Sequence, residues 1–350
     1  MSRWTLIAAG GILLWSAFAQ AQPPAAALEP SKVNAARLRW LQYKLVAGRV
    51  VATSSYPDGM NISFGPSVID GRLREHLQLL ILKDQASVNY ELTGDGEELA
   101  IVLAETGEFS IRRTRARPAF AFEYSQPPGK PLTLAVTVDG VQRTLTGDSF
   151  WHLYLADPEL VRTEVIPYLE LLRPSWQLAA MAASVEDALV QQALHPQAID
   201  TERWGKLVEL LGSERFSERQ SSEHELLRIG QLVLPYLEDL DSQSLDAEQT
   251  ARVAKLLKAL SADYEDATDR VANWLAGDRQ AWLSLLDRPE PVKRRVAAKQ
   301  LAILAGGPID FDPESDDQAR REQIARLRER FGSPPLSRPT PAQPAPASER

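Results

Sequence analysis

The stretch SVNYELTGDGEELAIVLAETGEFSIRRT, residues 87–114, contains the clearest secondary-structure pattern in the chain. Apolar and polar residues alternate along three runs, which are separated by Gly-Asp-Gly at 94–96 and Glu-Thr-Gly at 105–107. Alternation with a period of two is typical of strands with one buried face, and short glycine turns join antiparallel neighbours. The stretch therefore predicts three consecutive antiparallel strands.

Comparable patterns on both sides extend this prediction over residues 31–150. Two further runs, 118–124 and 131–147, are separated by Ser-Gln-Pro-Pro-Gly-Lys, and the second is broken by Asp139-Gly140, a dipeptide favoured in hairpin turns that require positive φ. Residues 43–55 indicate another strand pair or a step from helix to strand. We expect a domain at 31–150 that consists of an antiparallel meander of about five to seven strands with one buried face.

Beyond residue 150 the apolar spacing becomes helical. Asp157-Pro158 predicts an N-cap followed by proline at the first helical position. Pro167 lies inside the following apolar pattern and should split that helix, and a second helix is expected at about 175–194. We interpret residues 151–199 as a helical connector that covers the apolar face of the sheet or leads to the next domain.

Residues 200–332 are predicted to be entirely helical. Gly212 should end one helix, and Ser217 with Gln220 three residues later predicts a capping box at the start of the next. Residues 246–260 form a further amphipathic pattern. The predicted fold class is therefore α+β, with an N-terminal antiparallel β domain followed by an α-helical domain.

Two segments of the helical part, 207–240 and 282–330, share an order of features. Each has a helix that ends in leucines, a short charged turn, a helix with early arginines and then a glycine. This order resembles HEAT-like helical repeats of planctomycete and related bacterial envelope proteins, with Ser221 and Ser222 where such repeats usually have alanine. The resemblance covers residues 200–332 and implies stacked helix pairs that present a surface to a protein partner.

The two ends of the chain predict export and a disordered tail. Residues 1–21 combine Arg3, an apolar run at 6–19 and the pattern Ala-Gln-Ala at 19–21, which is typical of a signal peptide cleaved after Ala21. The apolar run is short for a membrane span, which needs about 20 residues, although an uncleaved anchor is the alternative. Residues 22–30 form a linker, and the proline-rich residues 333–350 should be disordered. We expect a periplasmic or secreted protein without a membrane span once the signal is removed.

Composition excludes several kinds of site. The chain of 350 residues has a formal net charge of −8, which argues against general nucleic-acid binding. It has no cysteine, so disulfides, thiolate metal sites and thiol nucleophiles are excluded. No G-x-S-x-G motif is present either.

The remaining candidates for chemistry are weak. Glu223, His224 and Glu225 are adjacent, and because neighbouring helical residues point about 100° apart, they cannot converge on one ion. The acids of 310–317 resemble a calcium loop, but Ser315 and Arg321 occupy the positions that need glycine and glutamate, so a helix that starts at Ser315 is preferred. We predict no catalytic residue, cofactor or metal, with the lone histidines solvated or packed.

Five residues are predicted to contact a partner. Arg219 lies in the first turn of one predicted helix, and Lys293, Arg294 and Arg295 lie in the first turns of another. Cations are unfavourable at that end of a helix dipole, so they either pair with nearby acids such as Glu214, Glu218, Asp287 and Glu290 or meet an acidic partner. Trp151, at the domain junction, is the fifth candidate.

These observations favour a non-catalytic, exported interaction protein that binds a protein partner in the cell envelope through its helices. Two alternatives are an envelope β domain that binds a ligand, with accessory helices, and an enzyme with a site assembled from scattered residues. A wide apolar cavity inside the sheet would favour the β domain. Polar residues that converge in a deep pocket would favour the enzyme.

Overall fold

A computed structural model describes residues 31–53, 57–69, 72–82, 85–195, 201–241, 244–260, 265–332 and 340–341. The predicted signal peptide, the linker and the tail apart from Thr340 and Pro341 lie outside these residues. The α+β prediction is confirmed, because an antiparallel half-barrel sheet is followed by helices.

The sheet contains more strands than predicted. Among the described residues, ten strands precede residue 150, where five to seven were expected, and Thr340–Pro341 adds a short β11 that pairs with β10. The ten strands are β1 (Gln42–Val46), β2 (Arg49–Thr53), β3 (Met60–Ile69), β4 (Leu73–Leu82), β5 (Gln85–Gly94), β6 (Glu97–Leu103), β7 (Phe109–Arg115), β8 (Phe120–Gln126), β9 (Leu132–Val138) and β10 (Val141–Gly147).

The strands missed by the prediction are β3 and β4. A register shift between Phe64 and Ser67 interrupts β3, and apolar residues occur on both faces of β4, so neither strand shows a clean period of two in the sequence. The remaining order follows the chain from β5 to β10. Strand β4 lies beside β5, and the β1–β2 hairpin is joined to β5 through Thr53 and Gln85.

The predicted hairpin turns are confirmed by their backbone angles. Asp139 and Gly140 have φ of 48° and 81°, and Asp95 and Gly96 have 51° and 76°. The β1–β2 turn follows the same rule, with φ of 50° at Ala47 and 67° at Gly48. Positive φ at both central residues is what the tight turns of twisted hairpins require.

One face of the sheet is buried, as predicted. Side chains of alternate residues on this inner face are fully covered, and their exposed fractions are 0% at Leu77, Tyr90, Leu92, Phe109, Ile111, Tyr124 and Leu134. The opposite face carries short polar residues such as Asn89, Ser110, Ser125 and Thr133, which are half-buried. The inner face forms one core with the helices around it.

In the part of the chain that the structure describes, five α-helices up to residue 194 accompany the sheet. They are α1 (Lys32–Leu38), which the sequence did not predict, α2 (Phe150–Ala156), α3 (Pro158–Glu164), α4 (Ile166–Leu172) and α5 (Leu178–Leu194). Asp157 caps α3 by accepting the Leu160 N–H at 3.0 Å, and α3 and α4 are separated at Val165, just before Pro167. Both features were predicted from the positions of the aspartate and the prolines.

The second half is helical, as predicted, but two of the predicted starts are wrong. Its helices are α6 (Thr201–Leu210), α7 (Phe216–Ile229), α8 (Leu234–Glu238), α9 (Ala247–Leu260), α10 (Thr268–Ala276), α11 (Arg279–Leu285), α12 (Pro291–Leu304) and α13 (Asp317–Phe331). Ser217 lies inside α7, which begins at Phe216 without a side-chain cap. Asp316 rather than Ser315 caps α13, because a carboxylate accepts both the Gln318 and Ala319 amides.

The helices divide between two cores. Helices α10 to α13 share the core of the sheet and α2–α5, whereas α6 to α9 form a second cluster centred on Trp204, Leu226 and Leu256. The two segments that resemble HEAT-like repeats therefore contribute to different cores, and the resemblance stays a prediction. In the part of the chain that the structure describes, no helix has the length and hydropathy needed to cross a membrane.

Candidate functional site

A charged cleft separates the connector helices from the last helices. It has a volume of about 600 Å³ and lies between the α2–α3 corner, α5 and the segment from Asp287 to Lys293 that leads into α12. The size is within the range of ligand-binding clefts in proteins. Its walls, however, are formed largely by charged side chains.

The floor of the cleft is a buried ion-pair network. Glu186 on α5 is 7% exposed and Arg288 is 8% exposed. Arg288 donates to Glu186 Oε2 from Nε at 2.9 Å and from a terminal nitrogen at 2.7 Å, and it also donates to the Leu155 carbonyl. Lys293 contacts Glu186 Oε1 at 2.8 Å. The network ties α2, α5 and α12 together.

Electrostatics keep this network charged. Burial alone would raise the pKa of Glu186, but the hydrogen bonds and charges of Arg288 and Lys293 bring it below its ordinary value. The pKa of Lys293 is raised, because Glu186 and Asp187 outweigh the opposing effect of burial. Both groups are therefore ionised at neutral pH, as a buried pair requires.

The rim of the cleft is more acidic than basic. Arg143 pairs with Asp157 at 2.6 Å and Arg162 with Glu159 at 3.4 Å, while Glu290 is exposed. Six carboxylates and four cations line the cleft in total: Asp157, Glu159, Glu186, Asp187, Asp287, Glu290, Arg143, Arg162, Arg288 and Lys293. The excess of negative charge favours a cationic group in the cleft.

The structure brings one of the predicted partner residues into this cleft and places two others nearby. Lys293 lines the cleft and contacts Glu186 and Asp187. Arg294 is 6% exposed and donates to the carbonyls of Arg288, Pro289 and Pro313. Arg295 lies outside on α12 and pairs with Glu314. Backbone carbonyls and acids of distant segments, rather than Asp287 or Glu290, thus compensate these cations.

Arg219 and Trp151 are not among the residues that line the cleft. Arg219 donates to the carbonyls of Ser213 and Glu214 and contacts Glu248 of α9 at 3.2 Å. Trp151 is 1% exposed and donates from Nε1 to Asp266 Oδ2 at 2.6 Å. Trp151 therefore presents no surface to a partner in this conformation, because its ring fills the junction between the β1–β2 hairpin and the helices.

A Ser-His-Asp chain, which sequence reasoning missed, lies beside Trp151. Ser149 Oγ is 2.8 Å from His152 Nδ1, and His152 Nε2 is 3.0 Å from Asp278 Oδ2. The residue types are those of a hydrolase triad. A serine three residues before a histidine is a weak sequence signal, and Asp278 is brought to it by tertiary packing.

Packing gives the hydrogen-bonded series Ser149–His152–Asp278 a structural role. Ser149 is 0% exposed and His152 1% exposed, and Ser149 caps α2 by accepting the His152 amide. A Cβ atom on Gly48 would be only 2.5 Å from Ser149 Cβ, and a Cβ on Gly147 would be 2.6 Å from His152 Cβ. No substrate carbonyl can approach the hydroxyl through such contacts, so the chain fixes α2 against the α10–α11 turn.

The other sequence candidates have structural partners. Glu223 pairs with Arg252 and Lys255, both at 2.5 Å, whereas His224 is exposed on α7. Of the acids at 310–317, Asp312 accepts the Glu314 amide and Asp316 caps α13. Within the described ranges, no three His, Asp or Glu side chains come together in a geometry that could hold a metal ion.

A second acidic group, Asp266, joins the β1–β2 hairpin to the helical part. Its Oδ2 accepts the Gly48 amide at 2.7 Å and the Trp151 indole at 2.6 Å, and its own amide donates to the Leu45 carbonyl at 2.7 Å. Burial raises the pKa of Asp266 to about 6, against the opposing hydrogen bonds and the charge of Arg270. The carboxylate is thus held in an environment that disfavours its charge.

We expect this group to give the protein a measurable pH dependence. Because its pKa is raised on folding, the folded protein binds the proton more tightly than the unfolded chain, and the Asp266 contribution to stability should increase as pH falls through about 6 towards 3.8. The difference in unfolding free energy between the wild type and Asp266→Asn should change by up to about 2 kcal/mol between neutral pH and pH 4. Urea unfolding at several pH values measures it, and a difference that is constant with pH would contradict the assignment.

Comparison of this chain with models of known protein families, with curated proteins and with solved structures finds no match in any of the three.

Proposed function

We propose that the protein is an exported, non-catalytic interaction protein that binds a cationic segment of a protein partner in the cell envelope through its helical half. The observation that carries this proposal is the acidic, open cleft between α3, α5 and α12. Its floor is rigid, since Glu186, Arg288 and Lys293 hold one another. Its rim offers the exposed carboxylates Glu159 and Glu290 to solvent.

The chemistry of the cleft suits reversible binding. Charged groups at a rim act mainly on association rate and partner choice, and a preformed floor avoids the cost of ordering the site on binding. Export is supported by the signal pattern of residues 1–21. The interior of the half-barrel, in contrast, is filled by side chains such as Leu77, Phe109 and Tyr124, which leaves the β-domain alternative with less support.

Affinity capture of the mature protein from its own envelope, followed by mass spectrometry, tests the proposal. The matched experiment uses Glu159→Gln/Asp187→Gln/Glu290→Gln, which removes three exposed charges from the cleft rim. We expect the partner found with the wild type to be reduced at least about tenfold, because three charge contacts are lost.

The control neutralises three exposed glutamates of the β domain instead, in Glu98→Gln/Glu108→Gln/Glu123→Gln. Its net charge equals that of the cleft variant, so a partner attracted only by overall charge would respond equally to both. Equal loss in the two variants, or full capture by the cleft variant, would refute binding at the cleft.

A further inference from the structure

A second cleft, at the seam between β1 and α4, has the opposite charge. It has a volume of about 380 Å³ and is bounded by the end of α1, by β1, by the end of α4 and by Glu265. It belongs to a different part of the surface from the acidic cleft and shares no lining residue with it.

Three cations and one carboxylate line this second cleft. Arg173 lies 2.5 Å from Glu265, so these two charges compensate each other. Arg39 donates from Nε to the Leu171 carbonyl at 3.1 Å, which fixes its guanidinium at the rim. Within the described residues, neither the terminal nitrogens of Arg39 nor the exposed ammonium of Lys44 has a hydrogen-bond or ion-pair partner. Two positive charges therefore remain uncompensated.

The edge of β1 adds a backbone donor to these charges. The Tyr43 carbonyl accepts from Arg173 at 2.8 Å, and the Leu45 carbonyl accepts the Asp266 amide, so both carbonyls point away from β2. The N–H and C=O of one residue in an antiparallel strand point to the same side. The Tyr43 N–H consequently faces the cleft. It lies on the edge of β1 next to the part that Glu265 and Asp266 cover.

Among the remaining lining residues, Leu41, Leu172 and Pro174 are apolar and Gln42 is polar. Leu41 and Leu172 form its base, with exposed fractions of 4% and 1%, and the exposed ring of Pro174 forms one side. A purely inorganic anion would leave these surfaces without a partner. A ligand that combines a carboxylate with a small apolar body satisfies both the cations and the walls.

We propose that the cleft between β1 and α4 is a binding site for a carboxylate with an apolar body, in which Arg39, Lys44 and the Tyr43 amide hold the carboxylate. Leu41, Leu172 and Pro174 contact the apolar body. Arg173 remains paired with Glu265 and positions the strand edge. The site is independent of the cleft proposed for partner binding.

The test uses 3-phenylpropanoate as the probe and 3-phenylpropanol as its uncharged counterpart. We expect the carboxylate to raise the thermal midpoint of the wild type in a saturable manner and to change the tryptophan fluorescence, since Trp176 contacts Glu265 beside the cleft. Titration of Arg39→Gln/Lys44→Gln should give an affinity at least about tenfold weaker, because both charge-assisted contacts are removed. Lys44→Gln alone should show an intermediate loss with an unchanged midpoint in the absence of ligand.

The matched control is Lys206→Gln/Lys299→Gln, which removes two exposed cations of α6 and α12. It should bind the probe as the wild type does. Equal effects of the acid and the alcohol, equal losses in the two double variants, or no saturable response of the wild type would each overturn the proposal. Inorganic phosphate that binds as tightly as the probe would also overturn it, because the apolar body would then contribute nothing.

Discussion

Gly48→Ala should strongly destabilise the protein. Gly48 has a φ of +67°, and its Cβ would be 2.5 Å from Ser149 Cβ and 2.9 Å from Trp151 Cδ1. Left-handed backbone costs a non-glycine residue about 1–2 kcal/mol. The contact with Ser149 adds overpacking of roughly 1–3 kcal/mol, so we expect a loss of about 3 kcal/mol or more in the free energy of unfolding.

The matched control for this prediction is Gly129→Ala. Gly129 has nearly the same φ, +63°, but nothing lies within 4 Å of its Cβ position. Its cost should be the backbone strain alone, about 1–2 kcal/mol. Urea denaturation of both variants measures the difference, and equal losses would show that the junction at Ser149 yields to the extra methyl group.

Arg288→Met should be the second large effect, because it leaves the Glu186 carboxylate buried with Lys293 as its remaining partner. Glu186 is 7% exposed, and two of its hydrogen bonds come from Arg288. Removal of one member of a buried pair costs about 3–5 kcal/mol. We expect a loss of about 3 kcal/mol, since Lys293 remains 2.8 Å from the carboxylate.

The double variant Glu186→Leu/Arg288→Met separates the charge effect from lost packing. It should recover much of the stability, because an apolar pair leaves no charge uncompensated in the interior. The pKa of Glu186 is lowered on folding. The stability that this carboxylate contributes is therefore present above the ordinary pKa of glutamate and is lost as the pH falls through the lowered pKa of the folded state. A loss below about 1 kcal/mol in Arg288→Met would contradict the role of the network.

Local patterns predicted the parts of the fold that depend on neighbouring residues. Asp139-Gly140 forms the β9–β10 turn with both φ angles positive, and Asp157 caps α3 in front of Pro158. These features follow from backbone sterics and short-range hydrogen bonds, which a few adjacent residues fix. The predicted start of α7 was wrong, because Ser217 makes no cap. Instead, the hydroxyl of Ser213, before the helix, donates to Glu218 in its first turn.

The candidate sites depended on contacts distant in sequence. Lys293 was predicted as a partner residue, but its surroundings come from Glu186 and Asp187, more than a hundred residues earlier. The cationic cleft between β1 and α4 was likewise not predicted, because Arg39 and Lys44 line one cleft with Leu172 and Arg173 only after folding. Charge pairing over such separations leaves no periodic trace in the sequence.

The sequence by itself determined the α+β class, the antiparallel hairpins, the helical second half and the absence of thiol chemistry, because each follows from local periodicity or composition. Tertiary structure alone decided that Trp151 is buried against Asp266, that Ser149, His152 and Asp278 form a sterically closed chain, and that two clefts of opposite charge exist. The physical reason is that burial and charge compensation are properties of the packed chain, in which residues from distant segments share one low-dielectric environment.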